Sequence, residues 1–136
     1  MTLRVLPDAE MLVVNYLRSI EELANLYVDI WTRIPETPAL PLVRVLRVSG
    51  TPAVRQHLDV ARLQVDTWAD TKEDAHTVAR LVQAALHDMP GSHDEGVVTG
   101  VDDGVFRWAP DDETGWAGYQ ADYLVYLHPN PADGGS

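Results

Sequence analysis

Five acidic side chains lie in two short polar stretches and are of a type that binds metal ions. They are Asp102, Asp103, Asp111, Asp112 and Glu113. A calcium loop places its acids at alternating positions, with a central glycine and a closing glutamate. Neither stretch has that spacing, and aspartate is a common turn former because its side chain bonds to nearby backbone amides. We therefore interpret these five residues as solvated turn residues.

A second group of metal-ligand residue types lies around the end of a predicted helix. It comprises His87, Asp88, His93, Asp94 and Glu95, and histidine with carboxylate is a common ligand set for zinc. The HExxH spacing of a zinc-binding helix is absent. A histidine near a helix C-terminus is also explained by its interaction with the helix dipole. The sequence thus predicts neither a metal site nor another cofactor.

Nucleophilic catalysis has no local motif in this sequence. There is no cysteine, and none of the serines lies in a GxSxG elbow. The glycine-containing stretch GVVTGVDDG has the pattern of a hairpin rather than of a phosphate-binding loop between a strand and a helix. We therefore predict no catalytic residue and no enzymatic activity.

Aromatic side chains on predicted strands are the remaining candidates for a site. They are Trp31, Trp68, Trp108, Trp116, Tyr119, Tyr123 and Tyr126. An aromatic sheet face can bind a ligand, which leaves a small ligand-binding module or enzyme as an alternative function. Tyrosine and tryptophan are also enriched in sheet cores and subunit interfaces, and we favour that interpretation.

The charge balance excludes several classes of partner. The chain has 136 residues with 10 basic and 21 acidic side chains, a net charge of −11. Binding to nucleic acid or to an anionic membrane depends on Lys and Arg, so neither partner is expected. No apolar run is long enough to span a membrane, and the first ten residues lack the pattern of a secretory signal. The protein is expected to stay in the cytoplasm of the cell that makes it unless it joins a larger assembly.

The elements that would position these residues are organised around residues 58–89. Alternation of Ala61, Leu63 and Val65 with polar neighbours predicts a long strand. The pattern then changes to an apolar stripe with helical spacing, which consists of Ala75, Val78, Ala79, Val82, Ala85, Leu86 and Met89. Asp70, with Glu73 three residues later, is predicted to cap this helix. The stripe must be buried against a sheet.

The remaining chain predicts one more helix and several strands. The helix begins at the cap Asp8 and ends near Asn25, and strands are predicted over residues 26–31, 42–48 and 117–127. The last strand alternates over its whole length, with one face formed by Tyr119, Ala121, Tyr123, Val125 and Leu127. Residues 49–52 are predicted to turn, and residues 102–104 are predicted to form the turn of a hairpin between strands 97–101 and 105–108. The fold class is α+β: a mostly antiparallel sheet with two helices packed on one face, plus a β-hairpin. We expect one domain over residues 1–128 and a flexible tail over residues 129–136.

Three stretches together resemble the tail terminator, or tail completion, proteins of long-tailed bacteriophages. A proline-rich loop leads into a PxVRVxRVGG-like strand, carried here by Pro41, Val43, Arg44, Val45, Arg47, Val48 and Gly50, with Ser49 where a second glycine is common. A strand and a helix start follow, carried by Asp59, Gln64, Val65, Asp66 and Trp68 and then by Lys72 and Ala75. With the last long strand, the resemblance covers roughly residues 20–128.

The resemblance implies a structural protein of the virion. Family members form a hexameric ring on the head-proximal end of the tail tube, stop tube polymerisation and provide the surface for joining the head. The implied partners are other copies of the chain, the tail tube protein and a head-joining or neck protein. DNA would pass through the lumen without specific binding, which an acidic chain favours. Assembly would take place in the host cytoplasm.

Contact residues are predicted in the two longest loops and on the strand predicted over residues 42–48. The loops are residues 32–40 and 111–116, because poorly anchored loops commonly carry contacts. The residues proposed for the subunit or tube interface are Arg44, Arg47, Asp111, Asp112, Glu113 and Trp116. A related neck or connector protein, or a phage-derived component of a contractile injection machine, is a further alternative to the terminator.

Overall fold

The sheet and helices come from a computed structural model that describes residues 5–54 and 57–131, with the backbone alone described for residues 51–54. The helices are α1 (Ala9–Arg18), α2 (Glu21–Asn25) and α3 (Lys72–His87). The strands are β1 (Asp29–Trp31), β2 (Leu42–Val54), β3 (Leu58–Ala69), β4 (Gly91–Ser92), β5 (Val97–Trp108) and β6 (Ala117–His128). The predicted α+β class is confirmed.

One six-stranded sheet has the order β1-β2-β3-β6-β5-β4. Every neighbouring pair is antiparallel except β1 and β2, which run parallel. The helices cover one face, and the opposite face, which we call the open face, carries polar side chains. The predicted first strand over residues 26–31 is too long, since only Asp29–Trp31 pairs with β2.

Two helices were expected, and the described residues contain three because the first predicted helix is broken. The helix α1 ends at Arg18, where the Ser19 hydroxyl donates to the Tyr16 carbonyl at 2.5 Å. The Arg18 guanidinium then reaches the carbonyl of Ile30 at 2.6 Å. The chain restarts as the five-residue α2, whose N-cap Ile20 has no side-chain hydrogen bond. The predicted cap of α1 is confirmed, since Asp8 Oδ1 accepts from the Met11 amide at 3.1 Å.

The predicted stripe of α3 forms the helix side of the core. All seven residues of the stripe are buried, and they pack over β3 and β6. The predicted alternations on these two strands are also confirmed, with Leu63, Val65, Tyr123 and Val125 buried beneath the helices. The predicted cap is wrong by one residue: Thr71 Oγ1, rather than Asp70, accepts from the amide of residue 74 at 3.1 Å.

Two predicted turns are instead irregular positions inside long strands. The turn predicted at residues 49–52 lies within β2, and Gly50 pairs there with Ala61 just after a register shift. The hairpin turn predicted at residues 102–104 is wrong as well, because β5 runs without a break to Trp108 and shifts register between Asp103 and Phe106. The hairpin that does form joins β5 to β6 through residues 109–116.

Two further expectations concern the C-terminal tail and the absence of a membrane-spanning segment. In the predicted tail, Asn130 donates to the carbonyls of His93 and Asp94 at 3.1 and 2.9 Å, and residues 132–136 lie outside the described part of the chain. Within that described part, no helix is long and apolar enough to cross a membrane.

Candidate assembly surface

The centre of the open face is a buried carboxylate with three donors around it. Asp66 is only 3% exposed. Arg44 lies opposite it on β2 and donates to Asp66 Oδ2 through Nε at 3.1 Å and Nη2 at 2.8 Å. Gln120 on β6 donates to Oδ1 at 3.0 Å, and Gln64 lies 3.2 Å from both oxygens. This polar group therefore ties three adjacent strands together across the open face.

A second ion pair lies further along the same two strands. The Arg47 guanidinium makes two parallel bonds to Asp59, with distances of 2.5 and 2.7 Å. Asp59 is 2% exposed, and its hydrogen bonds raise the pKa of Arg47 above its ordinary value. The backbone amide of Arg47 also donates to Glu10 on α1 at 2.7 Å. Both arginines that were predicted as interface residues are thus held by aspartates of the same chain.

Aromatic rings continue the open face towards the β5–β6 loop. The Arg44 guanidinium lies 5.2 Å from the ring centre of Trp68, and that ring lies 6.1 Å from the ring centre of Trp116. Trp68 is buried because it lies directly over the backbone of Gly118. A Cβ atom at residue 118 would be 2.7 Å from the Trp68 ring, so only glycine fits there.

The β5–β6 loop is a local turn with its acids on the outside. The carboxylate of Asp111 accepts from the backbone amide of Thr114 at 2.9 Å and from its hydroxyl at 2.6 Å. These bonds hold the pKa of Asp111 below its usual value, the hydroxyl bond contributing most. Asp112 and Glu113 are exposed, and Trp116 is half-buried against Trp68.

The predicted interface residues fall into two places, one on each face of the sheet. Arg44 and Trp116 both contact Trp68 and so lie together on the open face, at the end that carries the β5–β6 loop. Arg47 lies on the helix side, where it pairs with Asp59 and its amide contacts Glu10 of α1. The second predicted contact loop, residues 32–40, follows the edge strand β1 and exposes Ile34.

The histidines and acids that were weighed as metal ligands are dispersed. His87 Nε2 contacts the carboxylate of Asp103 at 2.8 and 2.9 Å, whereas His93 Nε2 lies 2.7 Å from the carbonyl of Met89. Throughout residues 5–54 and 57–131, no three His, Asp or Glu side chains are arranged to hold a metal ion.

A second surface, which the sequence interpretation missed, lies on the helix side of the sheet. The cations Lys72 and Arg80 of α3 lie over the rings of Trp108 and Phe106, at 4.8 and 4.3 Å from the ring centres. Tyr119 contacts both of these rings at 5.3 Å. The sequence signal was the spacing of residues 72, 76 and 80, which places Lys72, His76 and Arg80 in one stripe along a helix. We call this group of six residues the cation–aromatic patch.

Solved structures share this fold across most of the chain. A chain from the structure titled "Virion of native gene transfer agent (GTA) particle" matches with a TM-score of 0.68 at 15% identity, covering 88% of this chain and 94% of that one. The bacteriophage SPP1 gp17 protein matches with a TM-score of 0.53 at 18% identity, covering 87% and 86%. No curated protein sequence matches with significance. Both solved structures therefore share the fold of this chain.

The sequence itself places the chain in a family. The profile of the family described as tail completion protein gp17 matches residues 11–127. The chain therefore belongs to the tail completion protein gp17 family and is a structural protein of a phage-type tail. The resemblance found in the strands and helix of residues 20–128 is confirmed.

Proposed function

We propose that this protein is a tail terminator: a ring of its copies caps the head-proximal end of the tail tube, stops polymerisation and provides the surface for joining the head. The observation that carries this proposal is the family match over residues 11–127, which includes every element except the start of α1 and the last residue of β6. The ring is proposed to be a hexamer. Its partners would be the tube protein on one side and a head-joining protein on the other.

The charges of the open face support a surface that DNA can pass without being held. Its arginines Arg44 on β2 and Arg62 on β3 each pair with an aspartate of the same chain. Phosphate binding needs cations whose charge is not already neutralised. With a net charge of −11, a ring of such subunits would repel DNA from its lumen rather than bind it.

The β5–β6 loop is the part of the open face best suited to contact the tube or a neighbouring subunit. Asp112 and Glu113 are exposed there, and Trp116 presents part of its ring. Tryptophan is enriched at contact sites and often contributes much of their binding energy. Arg44 would act indirectly in this arrangement, because it holds the Trp68 ring on which Trp116 packs.

The proposal is tested by the length of tails made without this chain. Deletion of its gene should give free tails of uncontrolled length that lack heads, and the wild-type chain supplied in trans should restore uniform tails in electron micrographs. Uniform, head-bearing tails in the deletion strain would contradict the proposal.

The loop is tested by a charge reversal in which Asp112 and Glu113 are replaced by lysine. This variant should fold normally, because both residues are exposed, and it should fail to restore tail length. The matched control is Asp94→Lys, which reverses an exposed charge outside the loop. Equal restoration by both variants would remove the loop from the interface and leave the terminator role intact.

A further inference from the structure

Tyr27 combines a strained backbone with a side chain that contributes little to the fold. Its φ is 56°, and no other non-glycine residue in the described part of the chain has a positive φ. Its side chain is 88% exposed. Glycine at this position, just after α2, would remove the backbone strain, because it tolerates positive φ. A tyrosine kept in this conformation and pointing into solvent is best explained by a contact outside the subunit.

The cation–aromatic patch is the complementary feature on the other side of α3. A hollow of about 330 Å³ beside it is lined by Lys72, Glu73, His76, Thr77 and Tyr119. An aromatic ring entering this hollow would meet the Lys72 ammonium, a favourable cation–π partner. The Glu73 carboxylate could accept the hydrogen bond of a tyrosine hydroxyl. Trp108 at the rim is 42% exposed.

The two features lie on opposite sides of α3. Tyr27 lies two residues before the edge strand β1, and its neighbour Leu26 lines a hollow with Asp74, Thr77 and Val78. The hollow beside the patch lies across Thr77, over Tyr119 of β6, and two strands separate β6 from β1 in the sheet, about 14 Å at ~4.8 Å per strand. A projection on one side of α3 and a hollow on the other can form a head-to-tail contact, which closes into a ring when the rotation allows it.

We infer that Tyr27 of one copy docks into the hollow beside Lys72 of the next copy, and that this contact joins subunits around the ring. The inference rests on the proposed terminator function, because it specifies how the copies associate. Charge supports a second copy as the occupant. Lys72 and Arg80 form no ion pair with any described residue, and neither do the exposed Glu21 and Glu22 in the first turn of α2, the short helix that precedes Tyr27.

The net charge of the chain limits the surfaces through which two copies can associate. Two copies with a charge of −11 each repel one another. Association is therefore favoured where a cation without a carboxylate partner meets acids of the neighbour. A contact between the patch and the segment of α2 and Tyr27 meets this condition, because Glu21 and Glu22 are acids for Lys72 and Arg80 to pair with.

The test uses two variants that should retain or improve folding stability. Tyr27→Gly removes the projection and relaxes the backbone. Lys72→Glu removes the patch cation, and a glutamate at the first residue of α3 interacts favourably with the helix dipole. Thermal unfolding should give a Tm equal to or above that of the wild type for Tyr27→Gly. For Lys72→Glu it should give a Tm close to that of the wild type, because the helix-dipole gain offsets the lost contact between Lys72 and Trp108. Met11→Ser, which removes an exposed apolar side chain from α1, is the control for nonspecific loss of surface.

Light scattering and sedimentation over a concentration series then report association. Wild type and Met11→Ser should form the same oligomer, and each contact variant alone should need at least about tenfold higher concentration. An equal mixture of Tyr27→Gly and Lys72→Glu should give dimers and nothing larger, since only one intact contact can form in each pair. Normal oligomers of either variant alone, or a mixture with no dimers, would overturn the inference.

If the free protein is monomeric, the contact is tested by measuring how much of each variant is incorporated into purified tails. Purified tails should then contain the wild type and Met11→Ser but neither contact variant. Incorporation of Tyr27→Gly or Lys72→Glu at the wild-type level would overturn the inference while leaving the terminator role in place. Failure of the terminator role itself would appear separately, as uniform tails in the strain that lacks the chain.

Discussion

Replacement of Asp66 by asparagine tests whether the open face is held together by its central carboxylate. The change retains the shape of the side chain and removes its charge. Asp66 accepts from Arg44 on one side and from Gln64 and Gln120 on the other. In the variant, one carboxylate oxygen becomes an NH₂ group, so one of these donors loses its acceptor.

The expected loss in the free energy of unfolding follows from the burial of the ion pair between Asp66 and Arg44. The two glutamine amides can rotate and offer an oxygen to the new NH₂ group, so the main loss is the charge-assisted bond to Arg44. Such a bond contributes about 1.5–3 kcal/mol. The Arg44 side chain is 25% exposed, so water recovers part of that loss. We expect Asp66→Asn to lower the free energy of unfolding by about 2 kcal/mol, a fall in Tm of about 7 °C for a chain of this size.

Asp122→Asn is the matched control because it removes a similar cross-strand pair at the surface. Arg62 and Asp122 are 3.7 Å apart, and their side chains are 51% and 18% exposed. Exposed pairs contribute about 0–1 kcal/mol, so this variant should lose less than about 0.5 kcal/mol. Urea unfolding followed by tryptophan fluorescence measures both. Equal losses in the two variants would refute the claim that Asp66 organises this face.

Three further predictions concern the loop beside Trp68. Gly118→Ala should lower the free energy of unfolding by about 1–3 kcal/mol, because the added methyl group overlaps the Trp68 ring; calorimetry measures it, and an unchanged Tm would contradict the packing. Trp116→Ala should give tails of uncontrolled length from a folded protein, and normal tails with normal infectivity would remove Trp116 from the interface. The pKa of Asp111, followed through the amide shift of Thr114, should lie below 3.8 and rise in Thr114→Val. Because that folded-state pKa is lowered, the turn is stabilised above the unfolded pKa and loses this contribution as the pH falls through the folded pKa.

The elements with long, regular patterns were predictable from the sequence. The stripe of α3 and the alternation of β6 each extend over ten residues or more, so the period identifies both the element and its buried face. These two elements supply a large share of the buried core residues, and the α+β class follows from them.

The errors share a physical cause: residues that favour a turn also favour an irregular position within a strand. Gly50 has φ of 113°, and an added Cβ would lie 2.1 Å from the carbonyl oxygen of Val60, so this glycine serves a distorted strand rather than a turn. The Asp103-Gly104 pair likewise lies at a register shift in β5. Local sequence does not distinguish the two cases, because pairing with β3 or β6 decides between them.

The candidate surfaces were predictable only in part. The loop with Trp116 was anticipated because loops carry contacts, but the ion pairs that hold Arg44 and Arg47 depend on strand register. The exposure of Tyr27 could not be predicted from the sequence. It depends on the separate short helix α2, which forms after the break at Ser19 and ends two residues before Tyr27. The cation–aromatic patch could not be predicted either, because it depends on the position of α3 over β5 and β6, which no local sequence pattern specifies.

The central claim is that this chain acts by capping a tail tube. The most direct measurement is the distribution of tail lengths in electron micrographs of particles made with and without it. The account predicts one narrow length with the chain, and a broad distribution of longer, headless tails without it. A single narrow length in both samples would contradict the account.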